Sequence, residues 1–187
     1  NGVHIDITES KKLETDIKKL SITDSLTGLL NRRKFEFLFN NTITESRKSK
    51  KLCCFLFIDI DLFKKYNDIY GHQEGDKALK RIGEVIRNTV HRSEDYCFRL
   101  GGEEFGVVFH SGDMQSAITF SKLIKNNIEG LRIPHVKNTA SKYLTASMGL
   151  YCNKHDEKID MDQVYKRADE LLYKAKEAGR NMLKVDN

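Results

Sequence analysis

Tyr96–His110 reads YCFRLGGEEFGVVFH, and the fold is decided there. Tyr96 to Leu100 and Phe105 to His110 are strand-like runs separated only by Gly101-Gly102-Glu103-Glu104. Two adjacent glycines between such runs signal a tight antiparallel hairpin. Upstream, Leu52–Ile60 (LCCFLFIDI) is apolar almost throughout, as expected of a central strand covered on both faces. Tyr143 to Cys152 predicts a further strand and Met182 to Val185 an edge strand. Between them lie runs with helical spacing. Thr23-Asp24 is expected to cap a helical region, and Asn31 to Asn41 carries Phe35, Leu38 and Phe39 toward a core. Lys64–Tyr70 follows, then Gly75 to about His91 with Leu79, Ile82, Val85 and Ile86 on one side, then Asp113–Glu129 and Met161–Ala178. Ser46 to Lys51 is expected as a polar connection. Strands and helices interleave while one connection is a hairpin, so the expected fold is an α/β sandwich with a central, mostly antiparallel sheet flanked by helices.

At 187 residues the chain fits one domain with a short extension, large enough to bury a core without disulfides or a structural metal. Its 39% hydrophobic and 32% charged residues are those of a soluble globular protein. The longest apolar run, Leu52 to Ile58, is far too short to cross a bilayer, and Asn1 to Ser10 lacks a secretory pattern. Cys53, Cys54, Cys97 and Cys152 show no CxxC spacing, which predicts reduced, packed thiols in the cytoplasm. The formal charge of +5 helps attract an anionic ligand, but the basic residues are scattered and do not mark a nucleic-acid polymer as partner. At the start, Gly2 to Thr8 reads as a short strand. Glu9 to Leu20 reads as a helix with Leu13, Ile17 and Leu20 on one side, either an ordinary amphipathic helix or a short coiled-coil seam.

Two carboxylate clusters carry the chemistry. Asp59-Ile60-Asp61 ends the apolar strand, and alternation sends Asp59 and Asp61 to one face. Glu103-Glu104 sits in the hairpin. Each alone reads as a point where the chain surfaces. If the hairpin lies beside the Asp59 strand, three or four carboxylates converge at one end of the sheet, where Gly101 and Gly102 let a ligand approach the backbone. Such negative charge calls for a cation, and oxygen donors without His or Cys suit Mg²⁺ or Mn²⁺ bound with substrate phosphates. Lys64 could neutralise phosphate charge, and Asn67 and Asp76 offer donors and acceptors to a purine edge. Lys176 and Arg180, four apart, could grip terminal phosphates from one helix face or its frayed end. Taken singly, these are ordinary solvated groups.

Gly101-Gly102-Glu103-Glu104-Phe105 resembles the signature of the GGDEF family of diguanylate cyclases, in its GGEEF form. The similarity continues through Asp24-Ser25-Leu26-Thr27-Gly28-Leu29-Leu30-Asn31-Arg32-Arg33, Asp59-Ile60-Asp61-Leu62-Phe63-Lys64, Asn67-Asp68, Gly71 to Asp76, Arg167-Ala168-Asp169 and Lys176 to Asn181, in order and spacing. The resemblance implies a fold related to nucleotidyl cyclases and polymerase palms. It also implies condensation of two GTP into cyclic di-GMP, with release of two pyrophosphates, by a homodimer using two Mg²⁺ or Mn²⁺ ions per active site. Metal would be held by Asp59, the Ile60 carbonyl, Glu103 and Glu104. Glu103 would take the 3′-hydroxyl proton, and Lys64 would stabilise transition-state charge. Asn67 and Asp76 would read guanine, and His72 would line the site. The backbone of Leu62 and Phe63, with Lys176 and Arg180, would hold phosphates. Arg92-Ser93-Glu94-Asp95 resembles the family's RxxD motif, implying that Arg92 and Asp95 bind product as an inhibitor. Gly2 to Glu9, followed by Lys11 to Glu14, resembles the last strand of a PAS sensor running into a signalling helix. The expected division is thus residues 1–20 as the end of an upstream sensor and 21–187 as the catalytic domain. The rivals are a degenerate domain that binds nucleotide without turnover, and a polymerase-like or adenylyl-cyclase-like enzyme with the same metal carboxylates.

Overall fold

The nine apolar residues Leu52–Ile60 form strand β2 over the expected span and lie at the middle of the sheet. In the computed structural model, residues 22–153 and 160–186 are described, and the expectations for residues 1–20 fall outside them. The remaining elements are β1 (Leu30–Asn31), α1 (Arg32–Ser49), α2 (Phe63–Tyr70), α3 (His72–Thr89), β3 (Tyr96–Gly101), β4 (Glu104–Ser111), α4 (Met114–Glu129), β5 (Ala146–Asn153), α5 (Met161–Glu177) and β6 (Leu183–Val185). The sheet order is β1-β3-β4-β2-β5-β6. The three inner pairings are antiparallel, and the two edge strands β1 and β6 pair in parallel. The expected mostly antiparallel sheet is therefore mixed at its margins.

Alternation along β2 feeds two cores. Cys54, Leu56, Ile58 and Ile60 pack with the apolar sides of α2, α3 and α4, including Phe63, Leu79, Ile82 and Ile124. Cys53, Phe55 and Phe57 pack with Phe35 and Phe39 of α1 and with Val164, Leu171 and Leu172 of α5. Helix α5 lies unusually close to the sheet: a Cβ at Gly149 would run into the Ala168 carbonyl and the Leu172 amide. It starts from a capping box in which Asp160 accepts from the Gln163 amide at 2.8 Å and the Gln163 side chain answers at the Asp160 amide. Among the described residues, no helix is long and apolar enough to cross a membrane.

Three expectations are corrected. Ser46–Lys51 is not a connection, because α1 runs to Ser49 and ends at Lys50, whose φ is 54°. The stretch is polar but holds no glycine or proline to break a helix. Thr23-Asp24 does not start a helix. The Asp24 carboxylate accepts from the Thr27 amide and hydroxyl at 2.8 and 2.7 Å, but Gly28, at φ 70°, turns the chain into β1 instead. Finally, Cys54 and Cys152 are register partners on β2 and β5, and the structure joins them as a cross-strand disulfide; Cys53 and Cys97 remain thiols. The ground that four free thiols offered for a cytoplasmic setting falls with that pair.

Candidate active site

The register of β2 against β4 sets Asp59 opposite Glu104, and the Ile60 amide donates to the Glu103 carbonyl at 3.3 Å. The two acidic stretches thus meet on neighbouring strands at one end of the sheet. Asp59 is 8% exposed. Burial pushes its carboxyl up to about 6; Glu103 and Glu104 add to the rise, and Lys176 opposes it. Glu104 is raised as well, chiefly by burial, with Glu103 and Asp169 adding and Lys176 and Arg32 opposing. The Lys176 ammonium, brought by the last turn of α5, lies 2.8 Å from Asp59 Oδ2. Among the described residues, no three His, Cys, Asp or Glu side chains are gathered closely enough to hold a metal ion by themselves. The donors at hand are nevertheless all oxygen: the carboxylates of Asp59 and Glu104 face each other across β2 and β4, with Glu103 in the adjoining turn. Such a set fits a hard divalent cation that completes its shell with phosphate oxygens and water.

Asp61 stands apart from this cluster. It is 1% exposed and accepts from Ser147 Oγ at 2.6 Å, Thr145 Oγ1 at 2.7 Å and the Asn181 amide at 3.1 Å. Alternation does keep it on the Asp59 side, since Ser147 is the register partner of Asp59. Its oxygens, however, are already engaged.

Beyond β2 the chain turns through Leu62, which adopts φ 55° and ψ 32° at the head of α2. The Leu62 carbonyl is met by His135 Nε2 at 3.2 Å. Phe63 is buried and Lys64 exposed in the first turn of α2. Asn67 lies one turn on, its Oδ1 buried without a hydrogen-bond partner. A Cβ at Gly75 would collide with that same amide, so α3 can pass this close only with glycine there. Asp76 follows Gly75 and is exposed, as is His72 at the start of α3. The α2–α3 pair thereby brings Asn67 beside the turn of α3 that bears Asp76. Arg180 does not share a helix with Lys176: α5 ends at Glu177, and Arg180 sits past Gly179 in a left-handed turn at φ 66°. A cavity of about 450 Å³ beside the cluster is lined by Glu104, Asp169, Tyr173 and Lys176. A larger hollow of about 730 Å³ between α5 and β6 contains none of the expected site residues.

Arg92 and Asp95 lie at the other end of β4, whose eight residues span about 27 Å. The Asp95 amide donates to the Arg92 carbonyl at 3.1 Å, and Asp95 Oδ1 accepts from the His110 amide at 3.4 Å. Asp95 Oδ2 is buried without a partner, and burial raises its carboxyl. Arg92 and His110 line a cavity of about 220 Å³ there.

Sequence reasoning missed the clamp on the hairpin turn. Arg99 Nη1 donates to both Asp24 oxygens at 3.1 and 3.2 Å, while Arg99 Nε and Nη2 donate to the Gly102 carbonyl at 3.0 and 2.7 Å. No local pattern links residues 75 positions apart.

Comparison with known proteins agrees with this geometry. Residues 21–182 match the family model described as diguanylate cyclase, GGDEF domain. The chain is 34% identical over 181 residues to the diguanylate cyclase DgcM of Escherichia coli K12, covering 94% of this chain and 41% of that protein. It is 32% identical over 180 residues to a diguanylate cyclase of Vibrio cholerae, covering 96% of this chain and 54% of that one. The chain thus spans about half, or less, of these curated relatives. The crystal structure of the coiled coil and GGDEF domain of DgcB from Caulobacter crescentus, in complex with c-di-GMP, superposes with a TM-score of 0.78 at 27% identity, covering 95% of this chain and 94% of that one.

Proposed function

The chain belongs to the diguanylate cyclase GGDEF-domain family, and from that premise we propose that it condenses two GTP molecules into cyclic di-GMP and two pyrophosphates. The observation that carries the reading is the pairing of Asp59 with Glu104 across β2 and β4, with Glu103 in the adjoining turn. Divalent metal belongs to the chemistry of this family; two Mg²⁺ or Mn²⁺ ions, held by Asp59, the Ile60 carbonyl, Glu103 and Glu104, would offset the charge of the phosphates and of the attacking oxygen. Glu103 accepts the proton of the 3′-hydroxyl as its oxygen bonds to the α-phosphorus of the other nucleotide and pyrophosphate departs. Lys64, exposed at the head of α2, adds positive charge to the transferring phosphoryl group. Asn67 and the exposed Asp76 carboxylate address the same guanine edge, with His72 alongside. The backbone of Leu62 and Phe63, with Lys176 and Arg180, holds the phosphates.

Each chain presents one nucleotide, so two copies must face each other, and a homodimer is the working unit. The orphaned Asp95 oxygen and exposed Arg92 favour a product site at the far end of β4, where cyclic di-GMP inhibits. We assign residues 21–187 to catalysis and 1–20 to the end of an upstream sensor and its signalling helix. The setting is the cytoplasm, where GTP is held. Purified protein incubated with GTP and Mg²⁺ should yield cyclic di-GMP, with ATP not consumed, and Glu103→Gln should lower the rate by at least about 100-fold. Turnover of ATP instead, or undiminished synthesis by Glu103→Gln, overturns the reading.

A further inference from the structure

Among the described residues the buried carboxylate of Asp61 joins no group of acidic, His or Cys side chains that could hold a metal ion, yet its place is unusual. It lies between Ile60 and Leu62, both in the proposed site, and reaches the turn after α5 across 120 residues of sequence. That turn holds three consecutive residues in left-handed backbone: Gly179 at φ 114°, Arg180 at 66° and Asn181 at 49°. Glycine adopts such angles freely and asparagine tolerates them, but an arginine there is disfavoured and must be held. Two hydrogen bonds hold it. The Arg180 amide donates to the Ala175 carbonyl at 3.0 Å, and the Asn181 amide donates to Asp61 Oδ2 at 3.1 Å. The Asn181 side chain is fixed in turn, accepting from Lys125 Nζ at 3.0 Å and donating to Glu129 Oε2 at 3.2 Å. On its other side Asp61 is set by Ser147 and Thr145, and Thr145 Oγ1 accepts from Asn138 Nδ2 at 2.9 Å. A bond from an amide to a buried carboxylate is among the stronger kinds available to a turn.

We infer that Asp61 is a positioning residue for the terminal phosphates of the nucleotide, acting through the turn that aims Arg180. The inference rests on the reading of Arg180 as a phosphate contact. It is tested by equilibrium binding, in Mg²⁺, of GMP and of a GTP analogue whose α and β phosphorus atoms are joined by a methylene group, so that no cyclisation occurs. Asp61→Asn should weaken the triphosphate roughly tenfold while leaving GMP within about twofold, and Arg180→Ala should do the same. The double variant should bind the triphosphate no more weakly than Arg180→Ala alone. Ser147→Ala, which frees Asp61 Oδ1 but spares the Asn181 contact, should lower Tm and keep the ratio of the two affinities. Equal weakening of both ligands by Asp61→Asn, or additive losses in the double variant, overturns the inference while leaving the function intact. An unchanged ratio in Arg180→Ala removes Arg180 from the phosphates and takes the inference with it. Should Asp61→Asn fail to fold, Asn181→Ala, which disfavours the left-handed turn with Asp61 in place, meets the same two outcomes.

Discussion

His135 shows how one side chain can serve a site it does not enter. It is fully buried, its ring meets Tyr66 edge-on with centroids 5.4 Å apart, and its Nε2 donates to the carbonyl of left-handed Leu62. Its Nδ1 has no partner, so a second proton there would have nowhere to go. Burial accordingly holds His135 below its ordinary value of 6.5; Lys65 adds to the fall and the Leu62 carbonyl opposes it. The unfolded chain therefore takes up a proton that the folded one refuses, and stability present above pH 6.5 drains away as pH falls through that value toward the lower folded-state one. Urea denaturation at pH 7.5 and 5.5 should show a larger loss for the wild type than for His135→Gln. Equal losses would remove His135 from the acid sensitivity. Neither this contact nor the Asp24–Arg99–Gly102 clamp was legible in the sequence, because each joins residues more than 70 positions apart. That Asp59 ends a strand and Glu103 and Glu104 sit in a hairpin was legible from local signals; that the hairpin lies beside β2 was only a condition there, and the register of β2 on β4 meets it.

At the scale of elements, the seam between α5 and β5 determines where Lys176 and Arg180 arrive. Gly149 makes that seam possible, and the atoms a methyl would strike are backbone atoms that cannot rotate away. Gly149→Ala should cost about 3 kcal/mol in chemical denaturation and should weaken GTP binding even in the fraction that folds. Full retention of both would show that α5 has room to shift. Strand β2 and the β3–β4 hairpin could be read in advance because their signals are local: apolar runs, alternation and paired glycines. Helix α1 was cut short because Ser46–Lys51 has no apolar rhythm, yet polar residues extend a solvated helix as readily as they fill a loop. Asp24 was misread for a different reason. Its local bonds to Thr27 are those of a helix cap, while Gly28 and the pull of Arg99 send the chain elsewhere.

Across the whole molecule, the sheet sets the cluster of Asp59, Glu103 and Glu104 at one end of β4 and the Arg92–Asp95 corner at the other, joined by a single rigid strand. If one nucleotide sits on each of two copies, synthesis depends on their meeting. Below the dissociation constant of the pair, a tenfold dilution should then lower the total initial rate roughly a hundredfold. Initial rates that merely scale with protein concentration over that range would mean that one copy suffices. The Lys176–Asp59 contact has a consequence for the chain before any substrate arrives. It gives the acidic end of the sheet a tethered counter-ion, which spares the fold an uncompensated anionic hollow. The same ammonium is the first rival that any incoming cation must evict.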